Sequence, residues 1–371
     1  MSPPSRWLST RLTVPRKAWK FWIRSIWTRP LPTNMSQIIA DIGRRVLDRQ
    51  ALDRATILSL VQAATEQPYE LMHWAWQIRQ QRFGRDVAFC SIIPGKLGGC
   101  GEDCKWCAQS ASHAAEPTAP QITSFADIEH AAKAAAEHHA GCFCIVNSGR
   151  KPTAGDVQSV ASTAQALYKN IDGGQMCVSA SLGELTPDHA RQLAAAGVKR
   201  YNHNLETSRR HYAKMVTSHT YDDRLAALRN AQQAGMQLCC GGIFGMGETW
   251  DDRIDLALTL RDEVKPVVTT MNFLHPIPGT PLENTAPLPP LEILSIIAVF
   301  RFILPQVDLK ICGGRGVNLR DLQSWIFYAG ATSCLVGQYL TTSGRGVPDD
   351  IRMAGDLGLR VVQELPSPDW A

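Results

Sequence analysis

Apolar residues recur every three or four positions in QIIADIGRRVLDR, DRATILSLVQAAT and PYELMHWAWQIRQQRF, within residues 36–83. That spacing gathers them on one side of a helix and predicts an N-terminal helical cap over 35–84. From residue 87 the pattern changes. Short runs rich in β-branched residues now alternate with helical stretches. Eight runs read as strands: VAFCSII (87–93), CFCIVN (142–147), QMCVSA (175–180), VKRYNHN (198–204), MQLCCGGI (236–243), VVTTMNFL (267–274), DLKICGG (308–314) and TSCLVG (332–337). Between them lie helical patterns such as FADIEHAAKAAAEHHA, TPDHARQLAAAG and YDDRLAALRNAQQAG, several closing on glycine, a common helix stop. Alternating strands and helices imply a parallel sheet. Eight units imply an α/β fold closed into a (β/α)8 TIM-type barrel over 85–355, with 356–371 as a C-terminal tail. The alternative is an open doubly wound sheet with a strand misassigned. In a barrel, function gathers at the carboxyl ends of the strands.

Composition narrows the class. The chain has 371 residues, 44% hydrophobic and 19% charged, enough for one large domain or two small ones. No apolar run approaches the ~18 residues a spanning helix needs. A net charge of +4 is too mild and too spread out to argue for nucleic acid. Residues 1–34 differ from the rest. Arg6, Arg11, Arg16, Lys17, Lys20, Arg24 and Arg29 precede the first acidic residue, Asp41, and Trp7, Trp19, Phe21, Trp22 and Trp27 lie among them. Three readings stand: an organelle-targeting leader, a basic helix at a membrane surface, or a start assigned too early, since Met35 opens MSQIIADIGRRVLDRQ. The expected location is the cytoplasm, or an organelle if the leader is real.

The eleven cysteines carry the candidate chemistry. An odd count in a long chain with no secretory signal reads as reduced thiols, some of them metal ligands. In GGCGEDCKWCAQS, Cys100, Cys104 and Cys107 stand in C-x3-C-x2-C spacing directly after the first strand, at the face where barrels act. A structural zinc site needs a fourth ligand. Three thiolates instead leave a coordination position open. Cys144, Cys177, one of Cys239 and Cys240, Cys312 and Cys334 fall inside strands. Any one of them reads as small buried filler. Together, Cys144, Cys177 and one of the 239/240 pair can converge in the lumen, because strand residues alternate faces and barrel interiors pack in layers. Three soft thiolates there suit an iron–sulfur cluster. Arg315, after ICGG, is placed to reach the same space.

The loop resembles that of the radical S-adenosylmethionine (SAM) superfamily, and the chain over about residues 45–355 is similar to its biotin synthase family. The motifs are CGEDCKWCAQS, YNHNLETS (201–208), CGGIFGMGET (240–249), PGTPL (278–282), GGRGVNL (313–319) and LTT (340–342). The resemblance implies that Cys100, Cys104 and Cys107 hold a 4Fe–4S cluster whose open iron chelates SAM. It implies that Cys144, Cys177, Cys239 and Arg315 hold a 2Fe–2S cluster that donates sulfur. Glu206 and Arg224 would meet the ribose, amino group and carboxylate of SAM, and Trp106 its adenine. Asn204 and Asn272 would bind the ureido ring of dethiobiotin, and Thr341 and Thr342 its carboxylate. The implied partners are flavodoxin or ferredoxin as electron donor, the iron–sulfur assembly machinery and a second copy in a homodimer. The chain departs from the pattern with Trp106 in place of tyrosine and Glu206 in place of aspartate, and it adds Cys142, Cys240 and Cys312. These additions leave a larger or differently ligated second cluster open. Two other classes remain: a different radical SAM enzyme, such as a maturase or mutase, and a non-enzymatic iron–sulfur or zinc protein. Zinc without sulfide would single out the last.

Overall fold

The computed structural model describes residues 33–370 except 114, 116–120, 172–175, 338–339 and 341–343. The basic leader therefore lies almost wholly outside the described residues. Three helices open the chain: α1 (Thr33–Leu47), α2 (Arg54–Glu66) and α3 (Pro68–Phe83). Asp53 caps α2, its carboxylate accepting from the Thr56 amide at 2.8 Å.

The barrel follows. Its first strand, β1 (Asp86–Leu97), pairs antiparallel at its outer end with the two-residue β2 (Gln121–Ile122). Then come β3 (Ala140–Asn147), β4 (Cys177–Ser181), β5 (Arg200–Asn202), a fifth strand in two pieces, β6 (Gln237–Cys239) and β7 (Gly242–Phe244), β8 (Val268–Phe273), β9 (Asp308–Ile311) and β10 (Ser333–Leu335). These barrel strands are parallel, and Ala88 in register with Ser333 joins the last to the first. The barrel is closed, with eight strands.

The fifth strand breaks because the backbone of β8 comes too close for a side chain. A Cβ on Gly241 would lie 1.9 Å from the Thr270 carbonyl oxygen. Past the break, Glu206 bridges to Gly242 and carries the β5 edge onward. Gly241→Ala forces the two strands apart, and overpacking of this kind costs about 1–3 kcal/mol. The unfolding midpoint should fall accordingly, and a variant as stable as the parent would show that the seam is loose.

Helix Pro290–Ile303 is buried along nearly its whole length, from Ile293 to Ile303. A helix apolar on all sides needs cover on all sides. The N-terminal helices supply it, with Ser295 donating to the Ala64 carbonyl at 3.2 Å. Two buried arginines tie this layer to the lower rim. Arg79 donates to the carbonyls of Ala331, Gly84 and Asp86 at 2.7–2.8 Å. Arg301 donates to those of Gly330, Leu304 and Val307 at 2.8–3.0 Å.

The C-terminal segment is more than a tail. Its strand β11 (Arg360–Val362) pairs parallel with the start of β1. Residues 363–367 then cross beneath the lumen, where they line a small cavity with Cys90, Cys142, Cys177, Arg200 and Lys310. The crossing is close, since a Cβ on Gly141 would lie 1.7 Å from the Gln363 carbonyl oxygen.

Candidate active site

The loop after β1 is folded on its own backbone. The Ala111 amide donates to the Cys100 carbonyl at 2.7 Å, that of Cys107 to Cys104 at 3.0 Å and that of Ser110 to Cys107 at 3.3 Å. Asp103 anchors it from outside, accepting from the Thr217 and Ser218 amides at 3.0–3.1 Å and from the Thr217 hydroxyl. Burial works against the Asp103 carboxylate, but these hydrogen bonds outweigh it and hold its pKa well below the usual range. A carboxylate with a depressed folded pKa contributes stability above its unfolded value, about 3.9, and loses it as pH falls through the folded value. The stability gap between the parent and Asp103→Asn should therefore be constant from neutral pH down to about 5 and narrow below about 4. Thermal unfolding across that range tests the sign, and a gap that widened in acid would refute it.

Cys100 and Cys104 line a cavity of about 310 Å³ at the carboxyl end of the strands. Trp106 and Cys107 line an adjoining one of about 250 Å³, with Ile243, Leu274 and Ile277. The two share Ile92, Asn272, Leu335 and Leu340. Burial raises the Cys104 thiol to about 12 and pushes that of Cys107 up as well. Among the described residues no three cysteine, histidine or carboxylate side chains converge tightly enough to clasp a single metal ion. The loop thiols are spread along the cavity wall. Three thiols with an open space beside them fit a cluster with one iron left open better than zinc, and the nearby His113 is engaged with the Cys104 carbonyl, 2.9 Å from its Nε2.

The polar wall of the larger cavity comes from the ends of β5 to β9. Asn204 accepts from the Gly241 amide at 3.2 Å and from the Thr270 hydroxyl at 2.6 Å, which fixes its amide with the NH2 group left to donate. Asn272 is held at both ends, donating to the Gly242 carbonyl at 3.2 Å and accepting from the Gly313 amide at 3.0 Å. Glu206 has φ of +69°, a conformation a side-chain-bearing residue adopts under constraint. Burial raises its pKa, countered by Arg224, whose Nη1 lies 3.7 Å from Oε1. Arg224 in turn donates to the Tyr212 hydroxyl at 2.6 Å and the Asn204 carbonyl at 2.7 Å. Sequence reasoning missed the continuation of this network: Tyr212 to His219 at 2.7 Å and His219 to Glu102 at 2.6 Å, back on the cysteine loop. Thr341 and Thr342 lie outside the described residues.

Deeper in the lumen the thiols crowd together. Cys90, Cys142 and Cys177 share one register across β1, β3 and β4. With Cys312 and Leu335 they form one buried cluster. The sulfurs of Cys142 and Cys177 are 3.4 Å apart, and Asn202 donates to the Cys144 sulfur at 3.2 Å. Cys239 turns inward beside Val267 and Val268, whereas Cys240 joins the core outside the barrel. Burial raises the Cys144 and Cys312 thiols to about 12.

Arg315 is not brought to these thiols. The turn through Gly314 starts a helix at Arg315, whose Nη2 donates to Asp350 at 2.6 Å with both side chains fully buried. Asp350 belongs to the helix Val347–Asp356 outside the barrel. Two cations stand among the thiols: Arg200 of β5, facing Cys142 and Cys177 at the lower end, and Lys310 of β9, with Nζ 3.5 Å from the Cys90 sulfur. Burial works to discharge this ammonium, but Cys239, Cys90, Cys312 and Cys142 outweigh it and hold its pKa well above the ordinary lysine value.

A helix-ringed barrel with three thiols on the loop after its first strand, facing a polar cavity, defines a radical SAM enzyme. Comparison with known proteins agrees: residues 96–260 match the Radical SAM superfamily, and residues 270–360 match the Biotin and Thiamin Synthesis associated domain. The biotin synthase of Trichlorobacter lovleyi is 42% identical over 88% of this chain and 97% of its own. Those of Syntrophotalea carbinolica and Heliobacterium modesticaldum are each 43% identical, over 88% of this chain and 98–99% of their own. The chain belongs to the biotin synthase family and is a radical SAM sulfurtransferase. Among solved structures, methylornithine synthase superposes with a TM-score of 0.75 at 18% identity, over 86% of this chain and 97% of its own. A maturase of the [FeFe]-hydrogenase gives 0.75 at 14%, over 94% and 80%. At such identities these two establish the fold alone.

Proposed function

We propose that this enzyme inserts sulfur into dethiobiotin to form biotin, with an auxiliary 2Fe–2S cluster in the lumen as the sulfur donor. One observation carries the reading. A single cavity is lined by Cys100 and Cys104 of the loop, by Asn204 and Asn272 at its middle, and by Lys310 and Cys312 of the deeper thiol field. A substrate held there lies between a site of radical formation and a store of sulfur.

In this reading Cys100, Cys104 and Cys107 hold the 4Fe–4S cluster, and Cys144, Cys177 and Cys239 the second. When bound, these groups and SAM supply what side chains cannot, a radical able to break an unactivated C–H bond and a sulfide to replace it. The chain's residues do the rest. Arg224 presents a charge to the carboxylate of SAM, and Glu206 an acceptor to its ribose and amino group. Trp106, with Ile243, Leu274 and Ile277, gives its adenine an apolar seat. Asn204 donates to the ureido carbonyl from a fixed orientation, and Asn272 borders the ring. The closed barrel keeps water from the reacting carbon. Thr341 and Thr342 complete the reading at the substrate carboxylate. Flavodoxin or ferredoxin delivers electrons, the iron–sulfur assembly machinery loads the clusters, and two copies associate. Anaerobically reconstituted protein, given SAM, reductant and dethiobiotin, should form biotin. SAM cleavage with no biotin would sink the proposal while leaving the radical SAM class intact.

A further inference from the structure

We propose that Lys310 is the cation of the second cluster, donating N–H···S hydrogen bonds to its sulfurs and offsetting its negative charge, in the role the sequence assigned to Arg315. The proposal rests on the preceding reading that a cluster occupies the lumen. Lys310 is 4% exposed. It pairs in register with Thr270 and Ser333, at mid-height on β9. Its nearest hydrogen-bond partner is the Cys90 sulfur at 3.5 Å, and among the described residues it forms no ion pair with a carboxylate. Asp308, two residues earlier on the strand, is occupied by the Thr332 and Ser333 hydroxyls at 2.7 and 2.6 Å.

A buried ammonium with no carboxylate is costly unless something anionic faces it. What faces this one is sulfur. An ammonium has three protons to donate, and the Cys90 contact uses one. Thiolate-ligated clusters gain stability from hydrogen bonds to their sulfurs, which also set their potentials. Arg315 is committed to Asp350, its Nη2 2.6 Å from the carboxylate in a fully buried pair. Arg200, the other lumen cation, faces Cys142 and Cys177 from the lower rim and is tied to the Gln237 side chain at 3.1 Å, whereas Lys310 also lines the upper cavity with Asn204 and Asn272. An ammonium does not bind iron, so the role is to position and neutralise.

The test uses the full chain, reconstituted anaerobically, in four variants: Lys310→Met, Lys310→Gln, Lys310→Arg and Arg315→Lys. The readouts are iron and sulfide content, the Mössbauer signal and reduction potential of the second cluster, and the SAM-responsive EPR signal of the loop cluster as a control for folding. With Met or Gln at 310, iron retention by the second cluster should weaken about tenfold, the cost of losing an outer-shell partner, and any residual cluster should have a lower potential. The loop cluster should be unchanged. Arginine at 310 should restore the second cluster, and Arg315→Lys should leave it intact. The proposal is overturned if both neutral variants keep a second cluster of unaltered spectrum and potential, or if Arg315→Lys alone removes it. A parent protein that takes up only the loop cluster would instead overturn the proposed sulfur donor, and this inference with it.

Discussion

Alanine at any one of Cys100, Cys104 or Cys107 abolishes SAM cleavage, and the chain then holds iron and sulfide for the second cluster only. The loop offers three thiols and no fourth cysteine, and its His113 is engaged with the Cys104 carbonyl at 2.9 Å, so there is no spare thiolate to substitute. Burial keeps Cys104 near 12 and Cys107 above its ordinary value, so both are protonated in the empty site. Iron must displace those protons, and its binding free energy is what holds the thiolate form. With one ligand gone, two thiolates must carry the whole cluster, and the radical cofactor fails to assemble. No side chain can replace its chemistry. The lumen thiols belong to other strands, so the second cluster's absorbance should survive. Anaerobic reconstitution with iron and sulfide counting, followed by assay of SAM cleavage, checks both halves. A single variant that still cleaves SAM at the parent rate would place the catalytic cluster elsewhere.

Asp350→Ala should be the most damaging change to stability away from the clusters. Arg315 and Asp350 are both fully buried, with 2.6 Å between Nη2 and Oδ2. Removing the carboxylate takes a charged partner from a buried guanidinium, and breaking a buried pair from one side costs about 3–5 kcal/mol. Replacing both partners with apolar residues of similar volume, as in Arg315→Met with Asp350→Leu, should cost far less, because no charge is then left behind. Denaturant unfolding of the apo chain separates the two cases. If the single variant loses under about 1 kcal/mol, the pair is a surface-like contact and its burial is immaterial.

Much of this architecture was legible because buried parallel strands read as short apolar runs between helical stretches. All eight barrel strands lie within or against the runs read from the chain. The closing strand β11 was not legible. Its three residues, Arg360–Val362, are half-exposed and no helical pattern follows them. The break at Gly241 was invisible too, because it is set by the approach of β8, which is distant in sequence.

The site was legible in type more than in orientation. A period of two says that Cys239 and Cys240 face opposite ways, without saying which faces in. The alternation that would have placed Arg315 is reset by the turn at Gly314, with φ of +76°. Within β9 the alternation holds, and Lys310 shares its side with Cys312 and Asp308. A lysine between Leu309 and Ile311 in a buried strand was the available signal. The Tyr212–His219–Glu102 chain had no comparable pattern, since its members come from separate loops and helices.

The floor of the lumen is drawn from residues 363–367. Without them the barrel would be a tube open at its lower end, with Cys90, Cys142 and Cys177 facing that opening. Sealing therefore rests on one short crossing of backbone, which lies as close as it does because Gly141 carries no side chain. A chain cut before residue 363 should have lumen thiols that small alkylating reagents reach faster than in the parent, where Cys90, Cys142 and Cys177 are buried.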